Sequence, residues 1–213
     1  MRHPFRNAEF LTTAASWRDL PRGGASEVAF AGRSNAGKSS AINALARHAG
    51  LAHVSRTPGR TQHINFFRAP SGMLMADLPG YGYARVAQAV RMRWQAFIAR
   101  YLREREPLLG LVLVMDARHP LTLLDRQLLD WFLPGGRPVH ILLTKADKLG
   151  ARDQHATLID SRRILARDYA IGHIDVQLFS AAKGLGLDQA ESALAAWLAA
   201  PASEKERPRH QGE

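Results

Sequence analysis

Val28-Ala29-Phe30-Ala31-Gly32-Arg33-Ser34-Asn35-Ala36-Gly37-Lys38-Ser39 is the stretch that decides the fold. Four small or apolar residues read as a short buried strand that runs straight into a glycine loop, and Ser39 to Arg47 reads as the helix that follows. Strand, G-x-x-x-x-G-K-S and helix in that order define a P-loop. Gly32 and Gly37 let the backbone curl so that its N–H groups converge on phosphate oxygens at the positive end of the helix, and Arg33, Ser34, Asn35 and Ala36 are counted among the nucleotide-binding residues. Lys38 reaches the β- and γ-phosphates as a compact charge, and the Ser39 hydroxyl is placed to ligate Mg²⁺.

Three further motifs follow downstream. Asp77-Leu78-Pro79-Gly80 closes a later strand, so that the Asp77 carboxylate faces the Mg²⁺ shell and the Gly80 N–H can reach a γ-phosphate. That amide finds a partner only when the third phosphate is present, which makes Gly80 a sensor. Thr144-Lys145-Ala146-Asp147 ends another strand. Asp147 can accept from guanine N1–H and N2–H₂, whereas adenine would leave the carboxylate buried and unpaired. Thr144, Lys145 and Ala146 shape the loop, with the lysine stem over one face of the base. Phe179-Ser180-Ala181 precedes Lys183, and the Ser180-Ala181 amides can meet the guanine carbonyl oxygen.

Lysine usage supports the same reading. Of 29 basic residues only five are lysines (38, 145, 148, 183 and 205), which leaves 24 arginines. Three of those five lysines fall inside the motifs, where a flexible ammonium is hard to replace by a planar fork.

Between the P-loop helix and the next strand lies Arg56-Thr57-Pro58-Gly59-Arg60-Thr61-Gln62. A switch threonine that completes Mg²⁺ coordination in the triphosphate state belongs there, at Thr61 or at Thr57. A polar Pro-Gly turn is the simpler alternative.

The rest of the chain alternates strand and helix. Strands are expected at 63–68, 73–76, 109–115, 139–143 and 176–179, and helices at 85–106, 121–132, 152–169 and 187–200. With 28–31 this gives a three-layer α/β domain. Its mostly parallel six-stranded sheet has one antiparallel edge strand and helices on both faces. Residues 1–24 read as a lead-in whose Phe5, Phe10, Leu11 and Trp17 pack on a domain spanning 25–200, and 201–213 read as a disordered tail.

The length of 213 residues suits one such domain, and 46% apolar residues suffice for its core. Without cysteines the chain has neither disulfides nor a thiolate metal site, as suits a reducing cytosol. The apolar runs are strand-sized, so no membrane span is expected, and the N-terminus reads as neither signal nor anchor. A net charge of +10 favours polyanionic partners, RNA above all, although an arginine-rich composition alone would also make the chain basic.

With those residues in hand, the chain resembles the EngB-type GTPases of the translation-factor-related class. The resemblance runs from about Phe10 to about Leu198 and rests on four phrases. They are Val28 through Ser40, Pro58-Gly59-Arg60-Thr61-Gln62, Asn65-Phe66-Phe67 and Asp77-Leu78-Pro79-Gly80-Tyr81-Gly82-Tyr83-Ala84. It implies a cytoplasmic bacterial GTPase that acts in assembly of the large ribosomal subunit and is needed for normal cell division and septation. It places the switch threonine, a metal ligand with Ser39, at Thr61, and counts Gly59, Arg60, Thr61, Gln62 and His63 among the nucleotide-binding residues. Arg60 stands where the family has lysine.

The catalytic set is then Lys38, Thr61, Gly80 and Asn35. Tyr81 occupies the place where Ras-like enzymes carry a water-orienting glutamine, so hydrolysis is expected to be slow. In related GTPases an asparagine at the position of Asn35 ligates K⁺; a hydrogen bond within the loop is the alternative role here. Arginines 85, 91, 93, 100, 103 and 105 follow the sensor and offer an RNA-facing surface or merely a solvated one. A metabolite kinase is disfavoured because it would have no use for Asp147. A GTP-dependent scaffold at the division site needs the same switch and stays open beside the ribosomal role. A monomer is expected.

Overall fold

A computed structural model describes residues 3–52, 63–81, 88–169 and 173–199, the stretch 88–95 by its backbone. The strands are β1 (Glu9–Ala14), β2 (Glu27–Gly32), β3 (Ile64–Arg68), β4 (Leu74–Asp77), β5 (Leu108–Asp116), β6 (Val139–Thr144) and β7 (Ile174–Leu178). The helices are α1 (Lys38–Ala46), α2 (Gln88–Glu104), α3 (Leu123–Phe132), α4 (Ala151–Asp168) and α5 (Leu187–Ala199).

They form one sheet in the order β1-β3-β4-β2-β5-β6-β7. Neighbours from β4 to β7 are parallel, whereas β3 is antiparallel to both β4 and β1. The order reverses at β2: β3 and β4 lie on one side of it, with β4 adjacent, and the chain then crosses to place β5 on the other side. Ligands of open α/β sheets bind beyond the strand ends at such a point, and the P-loop follows β2 directly.

Strict alternation explains the three layers. Val28 and Phe30 of β2, Val112 and Val114 of β5 and Leu142 of β6 face α1 and α5, packing with Ile42, Leu45, Ala190 and Leu194. Their neighbours Ala29, Ala31, Leu111, Leu113, Met115, Ile141 and Leu143 face the opposite layer, with Tyr101, Leu102, Leu129, Phe132 and Leu165. Both faces of the central strands are therefore dry, which is why they read as unbroken apolar runs.

The sheet has seven strands where the sequence indicates six. The additional one, β1, comes from the lead-in and pairs with β3 at the antiparallel edge. Thr13 Oγ1 donates to Asn65 Oδ1 at 2.8 Å, and the Phe10 ring stands edge-on to Phe67. Upstream, Phe5 is buried against Phe30. The pairing joins residues 50 or more positions apart, so no local pattern announces it. The expected tail, 201–213, lies outside the described residues.

Candidate nucleotide-binding site

The P-loop is held from three sides. Leu78 N–H donates to Phe30 O at 3.0 Å, Tyr81 N–H to Gly32 O at 3.3 Å, and Ser34 N–H to Tyr81 O at 3.1 Å. These bonds continue the β2–β4 pairing beyond the strand ends and bring Gly80 against the loop. A Cβ on Gly80 would lie 2.9 Å from Ser34 Oγ and 3.2 Å from its backbone, so a side chain there would be forced into the phosphate loop. Gly37 adopts φ +98° at the N-cap of α1, a conformation that side chains rarely take.

Beyond it, Lys38 opens α1 and its Nζ is paired with Asp77 Oδ1 at the end of β4. Ser39 sits in the same first turn, half-buried like Lys38. Ser39 hydroxyl and Asp77 carboxylate are hard oxygen donors beside one another's elements, the chemistry that Mg²⁺ takes with a nucleotide's phosphates. Among the described residues no group of three His, Cys, Asp or Glu is placed to hold a metal by itself.

The guanine motif is tied into the same unit. The Thr144 hydroxyl lies within hydrogen-bonding reach of Ala36 O and of Met115 O, the latter at 2.9 Å. Lys145 takes a left-handed backbone conformation, φ 57°, and its Nζ donates to Asn35 O at 2.6 Å. The same ammonium pairs with Asp116 Oδ2 at 3.0 Å. Asp116 also holds Arg118 at 2.9 and 2.6 Å, and these cations keep its carboxyl well below the ordinary range. Neither Asp116 nor Arg118 was singled out by the motifs. An aspartate ending a long apolar strand was the available signal.

Asp147 stands at the rim, where Ser180 Oγ donates to its Oδ1 at 2.6 Å and Lys148 lies 3.3 Å from Oδ2. Both lower its pKa, the serine foremost. The carboxylate is therefore ionised and oriented before any base arrives. Of the two amides expected at the guanine oxygen, that of Ser180 donates to Leu185 O at 3.0 Å, which leaves Ala181.

The expected residues differ in what they can touch. Thr144, Ala146, Phe179, Leu78 and Pro79 are buried and act by shaping the loops; Phe179 O, for instance, accepts from Ala146 N–H at 3.2 Å. Arg33, Asn35 and His63 are exposed, and Ser34, Lys145 and Asp147 are half-buried at the mouth. Gly59, Arg60, Thr61 and Gln62, like Thr57, lie outside the described residues. The sequence did not single out Asp125 of α3, whose Oδ1 accepts from the Tyr81 hydroxyl at 2.6 Å.

A family model described as "50S ribosome-binding GTPase" matches residues 27–145, from the start of β2 to the lysine of the guanine motif. Over 201 residues the chain is 56% identical to a protein of Aromatoleum aromaticum named "Probable GTP-binding protein EngB", covering 94% of this chain and 92% of that one. The chain belongs to the EngB family of GTP-binding proteins. A relative of the same name from Azoarcus is 55% identical over 204 residues, covering 96% of this chain and 97% of that protein. Among solved structures, a GTP-binding protein engB superposes with TM-score 0.65 at 19% identity, over 82% of this chain and 99% of that one, which shows the shared fold.

Proposed function

We propose that this EngB-family protein is a GTP-operated switch. It hydrolyses GTP slowly, acts in assembly of the large ribosomal subunit, and is thereby needed for cell division and septation. The observation that carries the switch is the meeting of phosphate loop and guanine loop at Lys145, with the sensor glycine packed on Ser34. One nucleotide can engage both loops and report its third phosphate to Gly80.

Lys38 and Asp77 neutralise one another across the loop. A bound nucleotide offers each a stronger partner, phosphate oxygens for the lysine and Mg²⁺ for the aspartate, with Ser39 and Thr61 as the metal's protein ligands. Mg²⁺ held by these residues would supply neutralisation of the phosphate charge. Slow turnover is supported by Tyr81, whose hydroxyl is engaged by Asp125 and cannot orient water. The exposed Asn35 side chain is the place where K⁺ would supplement that charge neutralisation.

The ribosomal target is supported by the matched family's description and by a net charge of +10. Among the described residues no helix is long and apolar enough to cross a membrane; a cytoplasmic monomer is part of the proposal. Of the arginines that follow the sensor, Arg105 is directed inward onto the buried Glu27, and Arg100 lies over Trp17. Exposed Arg103 keeps a surface orientation.

Sedimentation with large ribosomal subunits and their precursors, in GDP and in a non-hydrolysable GTP analogue, tests the proposal. Binding with the analogue alone supports it. Equal or absent binding in both states overturns the ribosomal role and favours a GTP-dependent scaffold at the division site.

A further inference from the structure

Tyr81 is held twice. Its backbone joins the phosphate loop through Gly32 O and the Ser34 amide, and its hydroxyl donates to Asp125 Oδ1 at 2.6 Å. Asp125 is 1% exposed and lies 44 positions away, in the first turn of α3. Its second oxygen, Oδ2, accepts from Thr122 N–H at 2.9 Å and Thr122 Oγ1 at 2.6 Å, capping that helix. Every bond of Asp125 is thus assigned: one oxygen to the helix, the other to the residue that follows the sensor. A buried carboxylate with a phenol at this distance is a strong, directional contact. Burial and the nearby carboxylate hold the Tyr81 phenol far above its ordinary pKa, so it is a donor at every physiological pH.

We infer that Asp125 is a positioning residue for the γ-phosphate sensor, acting through Tyr81 to hold the Gly80 amide in its phosphate-facing orientation. Gly80 has no side chain to fix it and is followed directly by this doubly anchored tyrosine. The backbone anchor sets its distance from Ser34, and the side-chain anchor resists rotation of the peptide plane. The inference rests on Gly80 reading the third phosphate. It adds that the reading depends on α3, an element that touches no part of the nucleotide motifs in sequence.

The prediction is selective, because GDP makes no use of the Gly80 amide. Affinities for guanosine 5′-(β,γ-imido)triphosphate and GDP, each with Mg²⁺, are measured by calorimetry for wild type, Tyr81→Phe, Thr122→Ala and Gly80→Ala. Tyr81→Phe deletes one oxygen and keeps the ring. It is expected to lower the triphosphate-to-diphosphate affinity ratio about tenfold, the scale of one charge-assisted hydrogen bond, with GDP affinity unchanged. Thr122→Ala weakens the α3 cap yet leaves the Tyr81–Asp125 bond, so it should lower the melting temperature without moving the ratio. An unchanged ratio in Tyr81→Phe beside a collapsed ratio in Gly80→Ala overturns the inference and keeps the sensor. An unchanged ratio in both overturns the sensor as well, and a ratio that falls in Thr122→Ala as far as in Tyr81→Phe reduces Asp125 to a structural cap.

Discussion

Lys145 Nζ donates to the main-chain oxygen of Asn35 at 2.6 Å, which ties the loop of the guanine motif to the glycine-rich loop. The bond spans 110 positions of sequence. Removing it with Lys145→Ala should weaken GDP and the triphosphate analogue alike, by about 10- to 100-fold, the loss of one hydrogen bond from a charged donor. Titration of both nucleotides checks this. A selective loss of the triphosphate would contradict the assigned role.

Asp147 accepts from Ser180 on one oxygen, and in the proposed site its carboxylate meets the base edge. Asp147→Asn exchanges an acceptor pair for one acceptor and one donor, which suits the 2-oxo group of xanthine and opposes the 2-amino group of guanine. GTP affinity should fall by roughly 10²–10⁴, and XTP should become the better ligand. Competition between the two triphosphates for the variant gives the answer directly.

Most of the fold was legible because the central strands are dry on both faces, and a run such as Leu111 to Met115 is what a strand covered by helices on either side requires. The P-loop and guanine loop were legible because their backbone conformations demand particular residues, glycine at φ +98° for Gly37 being the clearest. β1 was not, since its six residues become a strand only by pairing with β3. Tyr81–Asp125 and Lys145–Asp116 were not either. Each joins two ordinary polar residues that the crossover topology brings together, and nothing in either local sequence names its partner.

Glu27 lies fully buried at the start of β2, the end of the sheet remote from the nucleotide loops. Tyr101 OH donates to it at 2.9 Å, Arg105 pairs with it, and Arg105 also donates to Pro21 O at 2.7 Å. Glu27→Ala would strand the guanidinium and the phenol, at a cost of about 3–5 kcal/mol. GDP affinity of the folded variant should be unchanged. Denaturant unfolding with and without GDP separates the two effects.

Asp168, at the end of α4, accepts from Arg126 of α3 and from Arg167, both at 2.6 Å. Those cations hold its carboxyl at about 2, below the ordinary 3.8. Folding therefore favours the ionised form, and the stabilisation is complete above 3.8 and lost as pH falls through about 2. Asp168→Asn should lower the melting temperature by about 1–3 °C, equally at pH 7 and pH 5, since exposed pairs contribute little. The difference from wild type should shrink only in the most acidic samples. A difference that already vanishes by pH 5 would assign the effect to another group.

Asn35 takes a left-handed backbone, φ 65°, its carbonyl is occupied by Lys145, and its side chain is exposed. A carboxamide oxygen at this point of a P-loop is a suitable ligand for a large monovalent cation between the β- and γ-phosphates. Such a cation would supply the charge neutralisation that Tyr81, bonded to Asp125, does not. Hydrolysis is therefore expected to run about tenfold or more faster in K⁺ than in Na⁺, and Asn35→Ala should remove that difference while leaving the Na⁺ rate nearly unchanged. Single-turnover assays in the two salts, at equal ionic strength, measure both quantities. Equal rates in the wild type would assign Asn35 to loop structure. A slower variant in both salts would show that its side chain acts without the cation.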